Sequence, residues 1–193
     1  MLAKSLMSAL SVLAMTLASA AANAADNYKL DPAHSSVTFM IKHMDISYVH
    51  GRFNEFDANF TIDKDAPAKS TFALTIKANS VDTAVKGRDD HLRSPDFFNV
   101  KQYPLIQFQS TAVKPAKDGY EVSGDLNMHG VKKAITFTLQ GGKTISFMGG
   151  QKIGLYGTLE LNRNDFGVGG PKMAGMLGDT VHIHIGLEGA KSK

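Results

Sequence analysis

The sequence predicts an all-β antiparallel domain, and three observations carry that expectation. Apolar and polar residues alternate with a period of two over most of the chain, as in strands with one buried face. Short turn-forming stretches separate the alternating runs, so successive strands pair antiparallel. The stretch Gly87 to Val100 breaks the alternation and reads as helical. One helical segment among many strands suits a cap on a closed sheet better than a layered α/β fold.

Residues 1–24 read as a cleavable export signal. Lys4 gives a short basic start, Leu6 to Ala18 is apolar but short for a membrane span, and Ala22-Asn23-Ala24 is an A-x-A cleavage site. The expected mature chain is then one domain over residues 25–193, long enough for a proper core. Cysteine is absent, which excludes disulfides, thiol catalysis and a lipid-bearing cysteine after the signal. Lysine and arginine number 21 against 18 acidic residues, and they are scattered, so no nucleic-acid footprint is expected. Beyond residue 24 no run is long and apolar enough for integral membrane insertion.

The strands follow in order. Tyr28 to Asp31 is short. Val37, Phe39 and Ile41 then alternate with Thr38, Met40 and Lys42. Arg52 to Ile62 reads as one strand, and Asp65-Ala66-Pro67 as a turn. Phe72, Leu74, Ile76 and Ala78 share a face. In the helical stretch Val85 and Leu92 fall on one side, Lys86–Asp90 and Asp89–Arg93 are i,i+4 pairs, and Ser94-Pro95-Asp96 reads as a helix restart. Leu105 to Val113 and Tyr120 to Met128 flank a turn at Pro115 to Gly119, and His129-Gly130 is the next turn. Ile135, Phe137 and Leu139 share a face up to a turn at Gly141-Gly142. Ile153, Leu155, Leu159 and Leu161 form the next strand, and Val181, Ile183, Ile185 and Leu187 the last.

Strands of about ten residues rise roughly 33 Å, about twice the usual length. Long strands with one apolar face close as a sandwich or as a barrel. Glycines 124, 154, 157 and 186, which ease tight coiling, favour the barrel. An outer-membrane barrel is disfavoured by the small strand number and the helix in mid-chain. The barrel interior is either filled or open to one ligand, and the mixture of phenylalanines with Ala78 and strand glycines is consistent with both.

Candidate sites are few. His182 and His184 project the same way from a strand, at metal-ligand spacing, but no third ligand is near in sequence; two outward-facing histidines explain them, and no metal is expected. The glycine-rich run Gly167 to Gly178 lacks a phosphate-loop ending and reads as an ordinary mobile hairpin loop, with Met173, Met176 and Leu177 lining an apolar mouth as the alternative. No nucleophile elbow or metal-protease spacing occurs, so no catalytic residues are assigned and no cofactor is expected. Arg88, His91 and Arg93 offer charge beside Phe97 and Phe98; they suit an anionic head group, or a helix face merely solvated and salt-bridged.

His91-Leu92-Arg93-Ser94-Pro95-Asp96-Phe97-Phe98 resembles the HLRSxDFF signature of the YceI-like family. Other pieces match in order: His34 to His43, Gly51 to Asp57, Ser80 to Thr83, Tyr103-Pro104 through Ser110, Gly124 to Val131 and Arg163 to Gly167. The resemblance covers nearly all of the mature chain. It implies a periplasmic, lipocalin-like barrel, here of eight strands, that binds polyisoprenoids and similar long apolar lipids; with no acid–base or nucleophile constellation in the sequence, no enzymatic activity is expected. On that basis the tunnel lining is expected from Phe39, Ile41, Phe60, Phe72, Leu74, Ile76, Phe97, Phe98, Phe108 and Phe137, and the polar mouth from Arg88, His91 and Arg93. The rival readings are an enzyme acting on such a lipid and a filled barrel serving as an interaction module. Oligomeric state is left open, with a homodimer as one option.

Overall fold

A computed structural model describes residues 25–192; the expected signal segment lies outside them. The strands are β1 (Asp26–Leu30), β2 (Ser36–His43), β3 (Ser47–Phe53), β4 (Phe56–Ile62), β5 (Thr71–Lys77), β6 (Val81–Asp82), β7 (Leu105–Ala116), β8 (Gly119–Met128), β9 (Val131–Phe147), β10 (Gly150–Asn162) and β11 (Leu177–Lys191), with one helix, α1 (Lys86–Arg93), between β6 and β7.

All pairings are antiparallel, and the cycle β1-β4-β5-β7-β8-β9-β10-β11 closes where β1 meets β11 at Tyr28↔Lys191. The fold is therefore a closed eight-stranded barrel. β2 continues the line of β1 along β11 after a break at Asp31 to Ser35, and β3 continues the line of β4, broken at Asn54-Glu55. The β2–β3 ribbon extends the wall past the end of β5, and the connection from Ala78 to Pro104, which contains α1, fills in beside it. Closure leaves few sheet edges exposed, which is how a long antiparallel sheet avoids edge-to-edge pairing.

Local details depart from the sequence expectation in three places. Arg52 to Ile62 is two strands, because the backbone at Asn54 turns in to donate to Ser80 O. Gly141-Gly142 is a bulge inside β9 and not a turn; the φ angles of +103° and +88° bend the strand, and the ladder resumes at Ile153↔Thr144. The hairpin closes instead at Met148-Gly149. Ser94-Pro95-Asp96 does not restart a helix. Ser94 caps the C-terminus of α1, and Phe98 N to Leu92 O and Asn99 N to Ser94 O close a string of turns. Asn99, at φ 45°, takes the left-handed conformation that ends it.

The helix is short and lacks a side-chain N-cap. It is held by Asp89, a buried carboxylate that accepts from Thr83 N at 2.8 Å and Thr83 Oγ1 at 2.5 Å. Such charge-assisted bonds offset the cost of burying the carboxylate.

Candidate functional site: an apolar cavity within the barrel

The barrel encloses a cavity of about 630 Å³, within the range of small-molecule sites. Its floor is aromatic. Tyr28, Phe60, Phe72 and Tyr120 lie in sequence across the sheet, with ring centroids 5.5, 6.0 and 5.9 Å apart. Phe60 pairs with Tyr28 on one side and Phe72 on the other, so the stack follows from strand register. Gly189 makes room for it, since a Cβ there would meet the Phe60 ring at 2.5 Å. Burial pushes the Tyr28 hydroxyl pKa up to about 12, with Asp26 adding to the effect.

The walls come from the inward faces of the strands. Phe39 and Ile41 on β2, Phe60 on β4, Phe72, Leu74 and Ile76 on β5, Phe108 on β7 and Phe137 on β9 all line the cavity. Phe108 and Phe137 meet edge to face at 5.2 Å. From the helical connection come Phe97 and Phe98. Phe98 packs edge-on against Phe53, and Phe97 against the His91 ring at 4.9 Å. Leu159, Leu161, Val181 and Ile183 complete the far wall. These four carry the same alternation as the other strands, and period-two reasoning alone could have assigned them to the lining.

Polar groups gather at the end that carries α1. Arg88, His91, Thr83, His43, Ser47 and Arg163 reach the cavity, and no aspartate or glutamate does among the described residues. Arg88 Nε and Nη2 donate to Thr83 Oγ1 at 2.7 Å and Thr83 O at 2.8 Å. Its guanidinium has no carboxylate partner among the described residues, whereas His91 Nε2 lies 3.2 Å from Asp96 Oδ2. The structure does not bring Arg93 to the cavity. Arg93 donates to Asn79 O at 2.8 Å, Val81 O at 2.7 Å and Asp90 Oδ1 at 3.2 Å, and so pins α1 to the segment before it. Five helical residues turn the chain by about 500°, which places Arg88 and Arg93 roughly 140° apart, on different faces; His91 lies only about 60° from Arg88.

Arg163 is a buried cavity residue that sequence reasoning did not assign to the site. It is 3% exposed, and each of its three guanidinium nitrogens donates. Nε donates to Gly178 O, Nη1 to Val168 O and Gly170 O, and Nη2 to Asp179 Oδ1. One side chain thus ties both ends of the glycine-rich loop to the turn that follows β10. Gly169 sits against it at φ +80°, where a Cβ would meet the Phe97 ring at 3.0 Å and Arg163 Nη1 at 3.2 Å. Met173, Met176 and Leu177 from this loop line the mouth.

His182 and His184 face outward on β11; His182 Nδ1 is 3.0 Å from Glu160 Oε1. A separate group, Asp31, His34 and Glu188, could converge on a cation, but Lys152 Nζ already bridges Asp31 at 3.0 Å and Glu188 at 2.6 Å.

Comparison with known proteins bears on this architecture. The YceI-like domain model matches residues 28–189. A UPF0312 protein of Pseudomonas putida (strain GB-1) is 40% identical over 185 residues, covering 94% of this chain and 95% of that protein. The crystal structure of Burkholderia cenocepacia BcnA is similar at a TM-score of 0.74 and 28% identity, covering 82% of this chain and 98% of that one. A polyisoprenoid-binding domain from Saccharophagus degradans shares the fold at a TM-score of 0.63 and 20% identity, over 86% of this chain and 98% of that one. With the domain match spanning the barrel from its first strand to its last, this chain belongs to the YceI-like family.

Proposed function

We propose that this protein is a periplasmic carrier of a long apolar isoprenoid-type lipid, a polyprenyl phosphate or an isoprenoid quinone, and not an enzyme. The observation that carries the reading is the cavity itself: about 630 Å³ enclosed by aromatic and aliphatic side chains inside a closed barrel. Burying a hydrocarbon chain there gains roughly 25 cal/mol per Å² of apolar area removed from water. The fold shared with a polyisoprenoid-binding domain supports this class of ligand. The lining lacks the carboxylates that acid–base chemistry on a lipid would call for, among the described residues.

The chain lies in the lumen against Phe39, Phe108 and Phe137, with its tail toward the Phe60–Phe72 floor. The head sits at the α1 end, where Arg88 and His91 meet it. Arg88 is the lining arginine without a carboxylate partner among the described residues, which favours an anionic head, since a guanidinium can bind two phosphate oxygens at once. Residues 1–24 direct export and are removed.

Solvent extraction of protein purified from a Gram-negative envelope fraction, followed by mass spectrometry, tests the reading. The carrier yields a stoichiometric isoprenoid. Extraction of no lipid would refute it in favour of an interaction module, and turnover of an added polyprenyl phosphate would refute it in favour of an enzyme.

A further inference from the structure

The cavity mouth has an apolar lip that nothing among the described residues covers. The β2–β3 ribbon ends in a tight turn at Met44-Asp45, both at positive φ (50° and 58°), closed by Ile46 N donating to His43 O at 3.1 Å. Ile46 is 83% exposed and Met44 54%. Met44 N donates to Met176 O at 2.9 Å, which ties this tip to the glycine-rich loop, and Met176 is itself 46% exposed. Single exposed apolar residues are ordinary, but three adjoining ones form a patch that calls for a partner.

The position of the patch identifies the partner. Met176, one of the three lip residues, also lines the cavity, and Leu177 beside it does too, so the apolar lip runs into the lumen on the side of the glycine-rich loop. A long apolar chain released into water loses the burial of every methylene during the crossing. A lip that enters the apolar side of a bilayer removes the crossing. The charges agree. Asp45 is paired by Lys42, and Asp179 by Arg163. Lys172, in the same loop as Met176, has no ion pair among the described residues and is exposed. Apolar side chains beside an uncompensated cation are the recognition chemistry of an anionic lipid surface.

We propose that the Met44–Ile46 tip and the glycine-rich loop dock the cavity mouth on an anionic bilayer, so that lipid passes between barrel and membrane without entering water. This rests on the carrier reading, and the two fail differently.

The test uses the mature chain, vesicles of phosphatidylethanolamine with phosphatidylglycerol, and dansyl-labelled geranylgeraniol as probe. Flotation measures docking, probe fluorescence without vesicles measures cavity binding, and vesicle-to-vesicle transfer measures delivery. Replacing Met44→Asp with Ile46→Asp is expected to lower vesicle partition and transfer rate at least about tenfold while leaving probe affinity and thermal midpoint unchanged. Lys172→Glu is expected to weaken flotation with phosphatidylglycerol and not with neutral phosphatidylcholine. Should the double variant misfold, this second variant and the salt dependence of wild-type flotation decide. Wild-type protein that does not float, variants that float and transfer as the wild type does, or a wild-type dimer that the tip substitutions dissociate would each overturn the docking proposal; the last outcome would make the tip a contact between copies. Absence of probe binding with flotation intact would overturn the carrier reading alone.

Discussion

Arg88 gives the sharpest test of where the lipid head lies. Two of its nitrogens hold Thr83, and its third nitrogen and its charge are left to a cavity with no carboxylate among the described residues. Arg88→Met keeps the length and apolar stem of the side chain and removes the charge. If the head is a phosphate, the variant loses at least one charge-assisted hydrogen bond of about 1.5–3 kcal/mol, or roughly 10- to 150-fold in Kd. A neutral quinone of equal chain length loses little, because its binding comes from the chain. The lost bonds to Thr83 are neutral-acceptor bonds that also help seat α1, and their removal costs about 1–2 kcal/mol of folding stability for either ligand. The informative quantity is therefore the ratio of the two affinities, measured by fluorescence titration on refolding-competent protein. Arg88→Lys, which retains a point charge without the planar fork, should fall between. Arg93→Ala is the control: it breaks three hydrogen bonds that pin the helix, lowers the melting temperature, and leaves the affinity ratio unchanged. Equal losses for both ligands in Arg88→Met would show that Arg88 serves only to hold Thr83, and that the head lies elsewhere.

Four further outcomes follow from particular contacts. Gly51→Ala would place a methyl 2.3 Å from the Phe39 ring tip; the ring can swing into the lumen, so extracted lipid should fall while denaturant midpoints move by less than about 1 kcal/mol equivalent. Arg163→Ala strands the Val168 and Gly178 carbonyls and should cost about 3 kcal/mol in urea unfolding, with faster hydrogen exchange across residues 167–178. Asp31 is held down to about 2, from an ordinary 3.8, first by its hydrogen bond from Lys152 and then by that from His34. A depressed carboxylate stabilises the fold above its unfolded pKa, and that contribution is lost as pH falls from about 4 through 2; Asp31→Asn should flatten the melting-temperature profile in that window and nowhere above it. N-terminal sequencing of protein from the envelope should begin at Ala25 or Asp26, and an intact Met1 on a membrane-bound species would refute export by cleavage.

The helical stretch shows how far sequence reading reaches. The residues of α1 and the two phenylalanines after it stood out because they break a period of two; of those singled out there, Arg88, His91, Phe97 and Phe98 border the cavity and Arg93 does not. The angular spacing that separates Arg88 from Arg93 was present in the sequence, but which face turns inward depends on Asp89 being buried against Thr83. Arg163 offered no such cue. Its neighbours are polar and glycine-rich, and its role exists only because residues 168, 170, 178 and 179 return to it in space.

What the sequence determined by itself was the alternation: the inward residues of most strands, the antiparallel sense of strands joined by short turns, and the helical interruption at 87–100. Alternation is local, because side chains on a strand change face at every residue. What only the tertiary structure decided was closure and content. Tyr28 finding Lys191 closes the ring, and the break of β1 from β2 and of β3 from β4 raises one wall above the rest. Whether phenylalanines facing one another across the barrel meet or leave a cavity depends on strand tilt and stagger, which are set by pairings between residues far apart in the chain. The floor is packed because register stacks Tyr28, Phe60 and Phe72 side by side; above it about 630 Å³ remains between the walls.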